Sequence, residues 1–378
     1  MKEKRTLYFL KIRKISGPFI IFLLLGLVQL FGLKPDDQLK INNEKDIPPA
    51  YLLGNFAESS GKILNPGRWA LPDKQEKRSA SAAPNIGSIK EIKVEEILRA
   101  KVGSGPDELG VITPVEANPE GPMSFALSST GEIYVLDQTN SRIQVFKDGH
   151  RIKSIQLPNK SFSDLELLPG GLMALLDSEV EKAVLILDAK GSVVNSISLV
   201  QKEIKEPGAV VGIYFKEKGS WPGLWGQMDN SSVLLAGSDI KPSSEFTVLP
   251  GLISLNGQRL FKIEFESEKQ ISILRSSENL KNWTQFRINF MLPLGQVYGL
   301  WEDYRGNIYL AINLYDQEKE ANEVVVLNPE GKELGRVAMF IPTSPNEIYY
   351  PVRITPDGSI YQLAIENHDV IIRRYRIF

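Results

Sequence analysis

Two histidines, His150 and His368, are the whole imidazole complement of this 378-residue chain, and cysteine is absent. A three-histidine zinc centre, a thiolate site, a disulfide and a Cys-linked lipid are therefore all excluded. His150 follows a Gly149 turn, and His368 lies in Glu366-Asn-His-Asp369. Both contexts predict exposed turn positions rather than proton-transfer groups. Glu302-Asp303 is the nearest thing to a carboxylate pair, but neighbours in a strand point to opposite faces, and the pair is expected away from any central channel. Asp137, Asn140 and Arg142 have the chemistry of an acid–base or metal-ligand set. No Gly-rich loop follows a strand and opens a helix, so nucleotide binding has no support. With Lys+Arg 44 against Asp+Glu 46, net charge −2, no basic field favours nucleic acid. Neither a nucleic-acid partner nor a cofactor is expected.

The aromatic residues offer binding chemistry instead. Lys218-Gly-Ser-Trp-Pro-Gly-Leu-Trp-Gly226 is the longest irregular stretch, and it places Trp221 and Trp225 beside Gly and Pro. Tyr298, Trp301, Tyr349 and Tyr350 fall near the starts of later units of the repeat described below. Together these six residues form the candidate recognition surface for a protein or a glycan. The competing role for the two Trp is structural: lids that fill space between repeat units.

What positions such residues is a repeat. Gly131-Glu-Ile-Tyr, Gly306-Asn-Ile-Tyr and Gly358-Ser-Ile-Tyr share a Gly–x–Ile–Tyr core, and Gly131 and Gly171 are 40 residues apart, Gly306 and Gly358 52. Repeats at that pitch, each alternating strands with Gly turns, are the pattern of a β-propeller. The strands leaving these turns are apolar on successive positions, as in Ile133-Tyr-Val-Leu136 and Ile308-Tyr-Leu-Ala-Ile312. Such runs require both sheet faces to be covered, as inside a propeller blade. Four units begin near Pro122, Phe162, Val297 and Tyr350, and residues 200–297 leave room for two more, so six four-stranded blades over 91–378 is the best-fitting count, with five or seven as the alternatives. The last unit stops after three strands, while Ile92–Val102 is a β-compatible run without a blade of its own. The prediction is an all-β ring closed by pairing the two ends, which also removes an exposed edge. The Glu and Lys content of 91–102 leaves a helix as the alternative.

Residues 15–33, ISGPFIIFLLLGLVQLFGL, are 19 positions without a charge. A helix rising about 1.5 Å per residue spans a bilayer core with that length. Lys2, Lys4, Arg5, Lys11, Arg13 and Lys14 precede it, so residues 1–14 are expected in the cytoplasm and the remainder outside. No A-x-A-like site follows, which favours an uncleaved anchor in the lipid bilayer over a cleaved signal and secretion. Residues 34–90, with Pro48-Pro49, Pro66-Gly67 and a mixed-charge run, sustain no period and read as a flexible linker.

Val102-Gly-Ser-Gly-Pro106, Gly121-Pro122 and Gly131–Phe146 resemble the NHL repeat of six-bladed propellers, closely over one blade and through Gly-x-Ile-Tyr in two others. The resemblance implies that Asp137 and Arg142 brace neighbouring blades, and that Asn140 accepts a left-handed conformation in the turn between second and third strands. Propellers of the resembled kind include ligand-binding and scaffold domains, and the fold by itself fixes no activity; with the anchor and linker added, the expectation is a membrane-tethered extracytoplasmic module that binds protein or carbohydrate. Some propellers of this kind are lyases and lactonases that hold a divalent metal in the channel, and a metal-dependent enzyme of that sort is the alternative. The scarcity of His and of clustered carboxylates favours the binding module.

Overall fold

Gly131, Gly306 and Gly358, the glycines of the three repeated cores, all take positive φ, between 80° and 86°. Each closes a tight turn by donating its amide three residues back, to Ser128, Asp303 and Thr355 respectively. A side chain would be strained there, which is why the unit is punctuated by Gly.

The computed structural model describes residues 91–378, except 114, 116–118, 244–245, 343–347 and 378. The N-terminus, anchor and linker expected at 1–14, 15–33 and 34–90 lie outside the described residues. Among the described residues no helix is long and apolar enough to cross a membrane. Among the described residues the first strand is β1 (Ile92–Lys101), and blade 1 follows as β2 (Ser124–Leu127), β3 (Ile133–Asp137), β4 (Arg142–Lys147) and β5 (His150–Gln156). Blade 2 is β6 (Asp164–Leu167), β7 (Met173–Asp177), β8 (Ala183–Leu187) and β9 (Val193–Ser198). Blade 3 is β10 (Gly212–Lys216), β11 (Gly223–Met228), β12 (Ser231–Ala236) and β13 (Val248–Leu249). Blade 4 is β14 (Leu252–Ile253), β15 (Leu260–Ser267), β16 (Gln270–Ser276) and β17 (Trp283–Asn289). Blade 5 is β18 (Leu294–Glu302), β19 (Ile308–Tyr315), β20 (Glu320–Leu327) and β21 (Glu333–Met339). Blade 6 takes β22 (Val352–Ile354), β23 (Ile360–Glu366) and β24 (Asp369–Ile377), and β1 is its fourth strand. All six sheets are four-stranded and antiparallel, five of them meanders of consecutive strands and the sixth completed by β1, so the fold is a six-bladed β-propeller.

The run at 91–102 is therefore a strand, not a helix. It pairs with β24 from Ile92↔Ile377 to Lys101↔Asp369, with one bulge between Glu96 and Leu98. Glu95 pairs with Arg374 directly opposite, and Asp369 takes Arg99 and Lys101 at 2.8 and 2.7 Å. These pairs lie on the rim, where exposed ion pairs contribute little. Burial of Leu98 and Ala100 against blade 1 gives the closing strand its apolar hold.

Each of the six blade interfaces has its own apolar cluster, including Phe125 with Ile372 between blades 1 and 6 and Leu165 with Ile143 between blades 1 and 2. The smallest lies between blades 3 and 4, where Trp225 packs with Leu249, Ile253 and Leu260.

Asp137, Asn140 and Arg142 act on the chain entering blade 1, not on a neighbouring blade. Asp137 accepts the Gly110 amide at 2.8 Å and pairs with Arg142 Nε at 2.7 Å. Arg142 donates onward to the carbonyls of Gly105 and Glu108 at 2.9 and 2.7 Å, and Asn140 to that of Gly103 at 2.9 Å. The left-handed residue of this turn is Ser141, φ 54°, rather than Asn140. The NHL-like segment thus clamps the connector that carries the chain from the closing strand into the first blade.

A chain beginning at Ser104 loses β1 and leaves β24 with a bare edge over an uncovered cluster. It is expected to melt well below one beginning at Ile86 in a thermal unfolding scan; equal midpoints would contradict closure by end pairing.

Candidate functional site

The first strand of each blade lines the axis of the ring. β2 lies against β6, β6 against β10 and β18 against β22. Side chains alternate along a strand, so one set per blade faces the channel. On β6 that set contains Asp164 and Glu166; on β10, Lys216; on β18, Glu302; on β22, Arg353; the Tyr214 ring of β10 packs into the cluster between blades 3 and 4, and its hydroxyl donates to Ser232 Oγ at 2.6 Å.

Asp164 is fully buried. It accepts Ser124 Oγ at 2.7 Å, its neighbour Leu165 N at 2.8 Å and Ile213 N at 3.0 Å, and pairs with Arg353 at 2.5 Å. Arg353 donates in addition to Phe125 O and Ser124 Oγ, both at 2.9 Å. One ion pair so joins blades 6, 1, 2 and 3. Tyr350 lies over the guanidinium, its ring centre 4.8 Å from Arg353 Cζ. Burial, then the Asp164 carboxylate, raises the Tyr350 pKa well above that of an ordinary phenol and keeps it protonated. Its hydroxyl sits so close to Gly212 that a Cβ there would collide with it.

A second polar layer lies towards the other end of the inner strands. Glu166 accepts the Phe215 amide at 3.1 Å, and Glu302 the Leu255 amide at 2.8 Å. Lys216 feels the fields of both carboxylates, and its Nζ lies 5.5 Å from the centre of the Tyr214 ring. Burial pushes Glu166 up to about 7, an effect that Arg353 and the Phe215 amide oppose. Burial pushes Lys216 down to about 8, against the pull of Glu166 and Glu302. Glu302 is also raised by burial. Among the described residues no group of three or more His, Cys, Asp or Glu is placed to hold a metal ion. The carboxylates here are instead committed to backbone amides and to cations.

A funnel of about 700 Å³ opens on the face where the first strands begin. Its wall includes Tyr298, Tyr349, Tyr350 and Phe265, the amides of Gln227 and Gln296, and the charged groups of Glu120, Glu179 and Lys160. Gln138 and Asn230 also face it, but their amides hold the backbone at Gly121, Met123 and Ile263. Tyr298 Oη donates to Asn322 at 3.1 Å, and the Tyr350 amide donates to Met123 O at 2.9 Å.

The six aromatic residues singled out in the sequence do not form one surface. Tyr298, Tyr349 and Tyr350 share the funnel. Trp225 is a strand residue rather than a loop residue, is 1% exposed, and donates its indole N–H to Trp221 O at 3.1 Å. Trp221 packs on the same cluster between blades 3 and 4, and Trp301 on the one between blades 5 and 6. His150 opens β5 on the surface, and His368 forms a tight turn with Asn367, φ 68° and 48°. Glu302 is not remote from the channel, because β18 is the inner strand of its blade; Asp303, 3% exposed, binds the Arg305 and Asn307 amides of the turn.

Asp164, Glu166, Lys216 and Arg353 were not among the sequence candidates. Their signal was present: Asp164-Leu-Glu166 places two carboxylates on one side of a short first strand, where apolar residues are the rule.

No family model and no curated protein matches the sequence. Among solved structures, virginiamycin B lyase from Staphylococcus aureus is similar over 76% of this chain and 100% of its own, at 13% identity and a TM-score of 0.42. A streptogramin B lyase matches over 76% of this chain and 98% of its own, at 12% identity and a TM-score of 0.40. A protein of unknown function from Bacteroides caccae matches over 61% and 93%, at 14% identity and a TM-score of 0.37. At these scores the likeness carries no argument about activity, and the fold rests on the strand pairing itself.

The two shifted groups make stability depend on pH in opposite senses. Glu166 holds its proton in the fold to about pH 7 but loses it near 4.5 when unfolded, so its contribution is present below 4.5 and lost as pH rises through 7. Lys216 loses its proton near pH 8 in the fold and near 10.5 unfolded, so its contribution is present above 10.5 and lost as pH falls through 8. Relative to Glu166→Gln, the native chain is expected to lose a few degrees of thermal midpoint as pH rises from 4.5 to 7. Relative to Lys216→Met, it is expected to gain a similar amount from pH 8 to 10.5. Differences independent of pH would show that these groups are not buried in the fold as described.

Proposed function

We propose that this chain is a membrane-tethered, extracytoplasmic binding module, and that the funnel takes a short oligosaccharide. The observation that carries the reading is the funnel wall: tyrosine rings beside amides and carboxylates without protein partners. Gln227, Gln296, Glu120 and Glu179 have side chains with no hydrogen-bond partner among the described residues, while the rings of Tyr349 and Tyr350 stand next to them. Aromatic faces stack on the apolar faces of sugar rings, and amides and carboxylates take up hydroxyls. About 700 Å³ is within the range of small-ligand pockets. The resemblance to NHL propellers, many of them binding modules, supports the same reading. Tyr298, Tyr349 and Tyr350 are the part of the aromatic set proposed for ligand contact, while Trp221, Trp225 and Trp301 hold blades together.

In this reading residues 15–33 are an uncleaved anchor, and 34–90 give the propeller reach from the membrane surface. Protein extracted from membranes should carry the intact N-terminus; a mature N-terminus between Leu33 and Ala50 would make the chain a secreted one.

Binding is tested by titrating the purified chain against a panel of neutral and acidic oligosaccharides by calorimetry. A binder in that panel is expected to lose about tenfold in affinity with Gln296→Leu and with Tyr349→Ala, a loss of one hydrogen bond or one stacking contact each. Thermal midpoints should be unchanged. Failure of the whole panel, with a protein captured through the same face, would replace the glycan by a protein partner.

A further inference from the structure

The funnel wall carries more negative than positive charge. Among its described residues Glu120, Glu179 and Asp229 are acidic, and Lys160 is the one cation. No hydrogen bond or ion pair among the described residues holds the side chain of Glu120, Glu179 or Lys160. Consecutive blades place the three acidic groups. Glu120 lies on the chain entering blade 1, where its backbone bridges to Ile112. Glu179 sits in the β7–β8 turn of blade 2, which Asp177 fixes by accepting the Val180 amide at 2.9 Å and the Ser161 hydroxyl. Asp229 sits in the β11–β12 turn of blade 3, at φ 28°. Its neighbour Asn230 ties that turn to blade 4 through Ile263 O and Ile263 N, at 2.7 and 2.8 Å.

A second observation stands apart from the charge. Ser178, next to Glu179, lines the funnel yet is only 9% exposed, and its hydroxyl has no partner among the described residues. Buried hydroxyls are normally hydrogen-bonded, so one left open on a cavity wall is a place for a polar group of a ligand. Asp177 is committed to its own turn, so that turn offers the funnel the Ser178 oxygen and the Glu179 carboxylate as acceptors.

We propose that the oligosaccharide taken by the funnel is an amino sugar with free amines, a chain of glucosamine rather than of N-acetylglucosamine. The inference rests on the sugar reading above and adds the charge of the ligand to it. A protonated amine has three donors and no acceptor, so it is held by several oxygens at once, and ionised ones hold it best. The Ser178 hydroxyl with the Glu179 carboxylate is such a set, and Glu120 and Asp229 add their fields from the neighbouring blades. Across a cavity of about 700 Å³ these fields are only partly screened, since the Debye length is ~10 Å at 0.1 M salt. The tyrosine rings take the apolar faces of a sugar in either form and so do not discriminate; the acidic groups do. An acidic sugar would meet like charge from three blades.

The test titrates the purified full chain by calorimetry, at about pH 6 to keep amines protonated. The probes are the β-1,4-linked trimers of glucosamine, N-acetylglucosamine and glucose, together with spermidine. In low salt the glucosamine trimer is expected to bind about tenfold more tightly than the other two trimers, an advantage that falls to about twofold in about 0.5 M salt. Glu120→Gln and Glu179→Gln should each cut the ratio of glucosamine to N-acetylglucosamine affinity about threefold. Ser178→Ala should weaken the glucosamine trimer about fivefold by removing one acceptor. Spermidine, with amines but no ring to stack, is expected to bind at least about tenfold more weakly than that trimer. Equal or tighter binding of the N-acetylated or the glucose trimer would overturn the preference for an amine while leaving the sugar reading in place, as would an advantage that both Gln variants leave intact. Silence of all three trimers would overturn the sugar reading and this inference with it. Spermidine binding as tightly as the glucosamine trimer would overturn the amino sugar in favour of a simple cation.

Discussion

The ion pair between Arg353 and Asp164 is the constraint on which the centre of the ring depends. Apolar clusters between blades are non-directional, and two such faces can slide while burying similar area. The pair cannot slide. Asp164 holds an amide of blade 3 and a hydroxyl of blade 1, and Arg353 holds a carbonyl of blade 1 from blade 6. A buried pair is weak evidence for net stability, since desolvation offsets much of its attraction, but removal of one partner leaves an uncompensated charge. Its consequence here is positional: it sets the inner strands of four blades relative to one another and supports the ring of Tyr350 above it.

Tyr350 in turn separates the two ends of the channel. On one side it belongs to the funnel wall; on the other it rests on Arg353, and below that lie Glu166, Lys216 and Glu302. Gly212 allows this arrangement by having no side chain where the phenol hydroxyl passes. The two ends therefore offer different chemistry. The funnel is lined by tyrosine rings and side-chain amides. The lower layer is ionisable, with burial raising Glu166 and Glu302 and lowering Lys216.

Closure and the clamp on the first connector are linked. β1 completes blade 6 as its edge strand beside β24 and leads at once into the segment held by Asp137, Asn140 and Arg142. The motif most visible in the sequence thus secures the step where the chain passes from the last blade to the first. Its polar residues are used up in that task, which is why their chemical types did not signify a reactive site.

The architecture was legible in the residues because it depends on local rules. Positive-φ turns need Gly, strands covered on both faces need continuous apolar runs, and a last unit of three strands needs a fourth from elsewhere. Blades 3 and 4 were the faintest because β13 and β14 have two residues each, too short to show a period. The candidate site was only partly legible. Tyr298, Tyr349 and Tyr350 could be picked out by type and place, but Trp225 has the same type and turns inward, since burial depends on what the neighbouring blade presents. Asp164, Glu166, Lys216 and Arg353 lie as much as 189 residues apart. Each looks like an ordinary charged residue until the ring brings three inner strands, β6, β10 and β22, together. Local sequence determined the turns and strands of the clear units and pointed to a propeller of about six blades; the strand pairing fixed the count at six, and only closure of the ring decided which side chains meet near its axis, because that meeting is set by long-range packing and not by any spacing along the chain.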